Sequence, residues 1–235
     1  MLAVFKKEMR SYFTGVMGYV FLVVYLLVGG AVFCFTTLYS MSADVTNFYS
    51  YMILFSAVLL PLLTMKSFSE ERKIKTEQLL MTAPIPIYAM VLGKFLAAYV
   101  MFAGCMILNS LYFLTLLNYA VIKFSVLFGN LLVMLLIGMV FIAIGIFVSS
   151  LTENQLAAAI GTIAIILVFL LIGLLAQLLP SNYWLRYVIE FISILSRYQY
   201  FANGYFDIAT IVYYLSLAGI FVYLTIRVYD RRRCG

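Results

Sequence analysis

The sequence predicts an all-α integral membrane protein of six transmembrane helices, on three observations. Of its 235 residues 66% are hydrophobic and 10% charged, against about a quarter charged in soluble domains. The apolar residues gather into six runs, 16–39, 48–65, 88–117, 126–151, 155–179 and 208–228, each close to or above the roughly 20 residues that cross a bilayer as a helix. Lysine and arginine fall mostly beside these runs on one side, as the positive-inside rule requires of spanning helices. Six spans leave little chain over, so residues 1–235 read as a single transmembrane unit with no sizeable soluble domain.

Residues 1–15 place Leu2, Phe5, Met9, Tyr12 and Phe13 at helical spacing, with Lys6, Lys7, Glu8 and Arg10 on the other side. This pattern predicts a helix lying in the membrane interface, or more simply a basic anchor ahead of a span. The first apolar run is about twice the length of a signal-peptide core and has no clear small-x-small cleavage site, so it is read as a retained span. The third run is long enough to be tilted or broken near Asn109. Twelve of the fifteen basic residues, among them Lys6, Lys7, Arg10, Lys66, Arg72, Lys73, Lys75, Lys94 and the arginines at 227 and 231–233, mark one side; Lys123, Arg186 and Arg197 mark the other. The two ends and the connection between spans two and three are accordingly expected in the cytoplasm.

Residues 66–86 are the most polar stretch. Ser69, Glu70 and Glu71 followed by Arg72, Lys73 and Lys75 put acid before base, as a helix dipole favours. Glu71 with Lys75, and Lys73 with Glu77, are spaced for pairing on one helical face. Leu79, Leu80 and Met81 then form an apolar knob ahead of Pro84 and Pro86. A short helix with such an end suits a cleft on a cytoplasmic partner; a solvated loop that only orients the spans is the other reading. Residues 180–207 are rich in aromatics, among them Tyr198, Tyr200, Phe201 and Tyr205 as candidates for an outer gate. A re-entrant hairpin and an ordinary aromatic belt both account for them.

Absences narrow the chemistry. There is no G-x-x-x-x-G-K-[ST] and no histidine, and none of the nine acids falls in the middle of a run, which argues against a nucleotide-binding loop, a metal triad, a proton relay and an intramembrane protease. No catalytic residue, metal site or bound cofactor is expected. Cys34, Cys105 and Cys234 have neither disulfide nor metal spacing. Ser149 and Ser150 have no base beside them and read as packing or capping residues. The formal charge of +6 is explained by anchoring, so no nucleic acid is expected as a partner. Small residues, Gly29 and Gly30 in span one and Gly161 and Gly173 in span five, make those faces candidates for a dimer contact.

The amphipathic start, the six spans and the charged stretch Ser69-Glu70-Glu71-Arg72-Lys73-Ile74-Lys75-Thr76-Glu77-Gln78-Leu79-Leu80-Met81-Thr82-Ala83-Pro84-Ile85 together resemble the permease subunits of type-2 ABC exporters, and among these the gliding-motility-type permeases. Ser149-Ser150-Leu151-Thr152-Glu153-Asn154-Gln155 and Tyr200-Phe201-Ala202-Asn203-Gly204-Tyr205-Phe206-Asp207, leading to Val212-Tyr213-Tyr214-Leu215-Ser216, add to the likeness. It implies a permease that pairs with a second copy or a related permease in a bacterial or archaeal inner membrane and docks two cytoplasmic P-loop ATPase subunits, which use ATP and Mg. The helix after span two would be the coupling helix, with Glu70, Glu71, Arg72, Thr76, Glu77, Gln78, Leu79 and Leu80 meeting the ATPase. Thr152, Glu153 and Asn154 would form a second, smaller contact, and re-entrant helices would lie between spans five and six. Tyr200-Phe201 departs from the His-Phe pair expected of the subgroup. The function expected is thus the membrane subunit of an ATP-driven exporter; a non-transporting mechanical scaffold of an envelope machine and an ion-coupled carrier are the alternatives.

Overall fold

The computed structural model describes residues 1–41, 44–75, 86–118, 124–178, 193–202 and 207–234, except the side chains at 117, 118, 174–178, 200 and 234. Among them six helices are long and apolar enough to cross a membrane: Val16–Tyr39, Val45–Lys73, Ile87–Leu116, Phe124–Leu151, Gln155–Gly173 and Ile208–Arg233; the second comprises span two proper, Val45–Thr64, and the short helix Lys66–Lys73 after it. They coincide with the six apolar runs. Span two starts three residues before its run because the Asp44 carboxylate accepts the Thr46 N–H at 2.9 Å, an N-cap that satisfies one of the free donors of a first turn. Asp207 does the same for span six, accepting the N–H groups of Ala209 and Thr210 at 3.1 and 3.2 Å and the Thr210 hydroxyl at 2.7 Å. The Thr210 hydroxyl foremost, then the backbone amides, hold the Asp207 carboxyl below its ordinary range. Two of the acids at this end are therefore helix caps.

Span four is the hub of the bundle. Spans two, three, five and six all pack on it, whereas span one reaches the core through spans two and three. Its sequence is apolar all round, which fits burial on every side. Glycines let neighbours close on it: a Cβ at Gly138 would stand 1.9 Å from the Phe102 ring, and one at Gly145 2.1 Å from the Thr64 hydroxyl. Three of the four glycines read as candidates for a dimer contact meet close neighbours within the chain, while Gly30 has only the Tyr112 hydroxyl at an ordinary 3.7 Å. Gly29 faces Asn109, Gly161 faces Val148 and Gly173 faces Ser193. They therefore carry no argument for an intermolecular seam, because close approach is just what intrachain packing needs from them too.

Span three changes from α-helix to 3₁₀-helix after Ser110, the tighter turn running over Leu111–Asn118. Hydroxyls draw the turns in, Ser110 donating to the Ile107 carbonyl and Thr115 to the Tyr112 carbonyl, both at 2.6 Å. The change falls beside Asn109, where the sequence offered a break as the alternative to a tilt. Neither polar atom of the Asn109 amide has a hydrogen-bond partner among the described residues, although the side chain is fully buried against Gly29. A buried amide left unbonded costs about 1–3 kcal/mol, so Asn109→Leu, which keeps the shape, is expected to leave stability unchanged or to raise it by about 1 kcal/mol, read as the thermal midpoint in detergent.

The N-terminal helix, Leu2–Thr14, packs chiefly on span three and also on span one. It faces the protein with part of the expected stripe, Phe5 included, and with Val4 and Glu8 added to it. Val4 is buried, and Glu8, Met9 and Tyr12 are half-buried, whereas Leu2 and Phe13 stay exposed. Gly93 seats Val4, whose Cβ would be 3.0 Å from an added methyl. Burial raises the Tyr12 hydroxyl above its usual range, with Glu8 adding to it. A carboxylate sits in this inward stripe because a cation waits for it beneath.

Candidate functional site

Polar side chains converge at the arginine- and lysine-rich end of the bundle, where the N-terminal helix, the helix Lys66–Lys73 after span two, the base of span three and the ends of spans four and six meet. At the centre is Lys94, two turns into span three and 3% exposed. Its ammonium lies 3.2 Å from Glu8 and 2.9 Å from Glu71, donates to the Ser67 carbonyl and sits 4.8 Å above the Phe68 ring. Lys7, on the rim, reaches the same Glu71 at 3.2 Å. Two acids from separate helices are thus bridged by two lysines, a neutral set of four charges. A buried ion is tolerated only when its partners and hydrogen bonds are complete, and Lys94 has both.

The helix after span two is shorter than the polar segment it begins. It ends at Lys73, the chain turning at Ile74 and passing through Lys75 at φ 58°. Lys75 lies beyond the helix, so the same-face geometry expected for Glu71 with Lys75 is absent and Glu71 turns to Lys94. Arg72 faces the other way. Its guanidinium is 3.1 Å from Glu153 and donates to the Leu151 carbonyl at 3.0 Å. Asn154 caps the start of span five, accepting the Leu156 N–H at 3.0 Å, and Thr152 accepts the Asn154 N–H at 3.2 Å. The two segments expected to meet a partner, Glu70–Arg72 and Thr152–Asn154, therefore stand side by side. Thr76, Glu77, Gln78, Leu79 and Leu80 lie outside the described residues.

Span six closes the cluster. Tyr229 is buried with its ring 4.7 Å from Phe68, and Arg232 stacks on Tyr229 while donating to the Ser150 carbonyl at 2.8 Å. Sequence reasoning read Lys94 as an orientation marker and Glu8 as part of an outward polar face. The available signal was that Lys94 is the one charge inside an otherwise apolar run of span three, a placement that calls for a buried partner.

At the opposite end, the helix Ile194–Ala202 packs on spans four and five and is hydrogen-bonded to spans two, four and six. The Tyr198 hydroxyl is 2.8 Å from Asn130 Oδ1 and 3.2 Å from the Thr46 carbonyl, and burial pushes it up to about 12, so it stays protonated and able to donate. Tyr214 donates to the Ile194 carbonyl at 2.8 Å, and Arg197 stacks on Tyr213 at 4.5 Å. Phe201 is fully buried. The Tyr200 side chain and Tyr205 lie outside the described residues, as does most of 180–207.

Six helices long and apolar enough to cross a membrane, with a polar joint at one end, define a multi-pass membrane protein. The ABC-2 family transporter protein model matches residues 2–232. The chain belongs to that family: it is a membrane permease of an ABC exporter, a transport component and not a catalytic domain, and the family implies association with an ATPase and with lipid. No curated protein matches it.

Proposed function

We propose that the chain forms the translocation pathway of an ATP-driven exporter, as a gliding-motility-type permease working by alternating access with a second copy or a related permease. The basic end faces the cytoplasm of a bacterial or archaeal cell and takes two P-loop ATPase subunits, which bind ATP and Mg in place of this chain. Lys66–Lys73 and Thr152–Asn154 form the described part of the docking face, and Thr76–Leu80 continues it. The helix Ile194–Ala202 belongs to an outer gate.

One observation carries this reading. Arg72 is held between Glu153 and the Leu151 carbonyl, so a push on the short helix is delivered at once to the junction of spans four and five. The short helix is also tied through Glu71 to Lys94 at the base of span three. A solvated loop would have neither tether.

Charge reversal at Glu70 and Arg72, or Leu79→Asp with Leu80→Asp, is expected to reduce retention of a co-expressed P-loop ATPase subunit on the purified permease at least tenfold, while the permease still inserts. Equal co-purification with wild type and variants would refute the docking face.

A further inference from the structure

The joint between span two and the short helix is held by a residue of neither. Span two contains Pro61, which has no N–H to give its ladder, and its last ladder bond runs from the Met65 N–H to the Pro61 carbonyl at 2.9 Å. The helix is interrupted at Met65 and restarts at Lys66. A restarted helix has unbonded N–H groups in its first turn, and Met65 caps none of them with its side chain. Ser149, near the end of span four and fully buried, supplies the cap across the bundle. Its hydroxyl accepts from the Phe68 N–H and the Ser69 N–H, each at 3.1 Å, and donates to the Met65 carbonyl at 3.1 Å. Two acceptances and one donation use the whole capacity of a hydroxyl, and all of it lies in the break. Gly145, one turn earlier on span four, lets Thr64 come close enough to bring the serine there.

We propose that Ser149 is the positioning residue of this joint, a cap supplied from span four that holds the Lys66–Lys73 helix in place against that span. The Phe68 N–H has a second possible acceptor, the Thr64 carbonyl that a continuous α-helix would use, whereas the Ser69 N–H already has the Met65 carbonyl as the first ladder acceptor of its own helix. A break without the serine would leave the Phe68 N–H bare, so loss of the hydroxyl favours continuing the helix of span two over keeping the bend. The side-chain insertion converts a helix extension into a hinge, and ties that hinge to the most buried span. Its role in coupling rests on the docking reading above; the hinge itself does not.

The test uses the full chain in lipid nanodiscs with its cysteines replaced and nitroxide labels at positions 73 and 156, both exposed. The pair Ser149→Thr and Ser149→Val share one shape and differ in the hydroxyl; Ser149→Ala removes it with the least bulk. Electron–electron distance measurement is expected to give a dominant short population for wild type and Ser149→Thr, and a minor long-distance population that grows at least threefold in Ser149→Val and Ser149→Ala. Superimposable distributions for all four would overturn the proposal. A role in stability alone would lower the thermal midpoint and leave the distances unmoved, which also overturns it. With a bound ATPase subunit, the valine variant is expected to keep the subunit but lose at least threefold of the permease-dependent change in hydrolysis rate. An unchanged response would remove the positioning role. Failure of the wild type to retain any ATPase subunit would count against the docking reading, and the distance result would still decide the hinge.

Discussion

Lys94→Met is expected to destabilise the protein by about 3 kcal/mol, the cost of breaking a buried ion pair from one side. The methionine leaves Glu8 and Glu71 facing each other with only Lys7 between them, and Lys7 is 60% exposed on its side chain and so attracts them through a more water-like medium. The triple change Lys94→Met, Glu8→Gln, Glu71→Gln removes all three charges and is expected to recover most of the loss, because replacing a whole buried ionic set is often neutral. Thermal unfolding in detergent measures both. If the single change were as mild as the triple, Lys94 would not be a buried, doubly paired cation. Lys94→Arg is no substitute, since a larger planar guanidinium cannot occupy the buried point where Glu8, Glu71 and the Ser67 carbonyl converge on a compact ammonium.

Gly18→Ala is expected to be the most disruptive of the single-methyl additions, at about 1–3 kcal/mol. The new Cβ would stand 2.2 Å from the Tyr12 carbonyl oxygen, 2.8 Å from its carbon and 3.0 Å from its Cα. All three are backbone atoms and no rotamer can retreat, so the end of the N-terminal helix must move off span one. Glu8 lies one turn before Tyr12 on that helix, so the displacement reaches Lys94, and Gly18→Ala combined with Lys94→Met should cost less than the sum of the two. Gly104→Ala, where an added Cβ meets nothing within 4 Å, is the control and is expected to be neutral. Midpoints of thermal unfolding for the four proteins give the coupling directly; strict additivity would show that the N-terminal helix and the charge cluster are independent.

The number of spans, their approximate limits and the break in span three were legible in the sequence because each follows from local chemistry. A run of about 20 apolar residues has one solution in a bilayer, and Asn109 with Ser110 marks a point where such a run weakens. The joint was legible only in part. Glu70, Glu71, Arg72 and the Thr152–Asn154 turn were singled out from charge and position, but nothing local to residue 8 or residue 94 says that they meet 86 positions apart. The pairing expected within the short helix, Glu71 to Lys75, assumed that the helix continued; the turn at Ile74 and the presence of Lys94 gave Glu71 a different partner. The inward side of the N-terminal helix was legible in Phe5, Met9 and Tyr12, whereas Val4 and Glu8 join it only because the fold sets that side against protein.

By itself, the sequence determined that this chain lives in a membrane as six helices and keeps its polar groups at the ends, since hydropathy and charge act residue by residue against the solvent. Only the tertiary structure decided which of those polar groups are joined. A buried ion or an uncapped helix start must find its partner wherever packing brings one, so Lys94 is completed by two other helices and the break at Met65 by Ser149. The glycines show the same division: their small size is visible in the sequence, and what they let approach is decided by the fold alone.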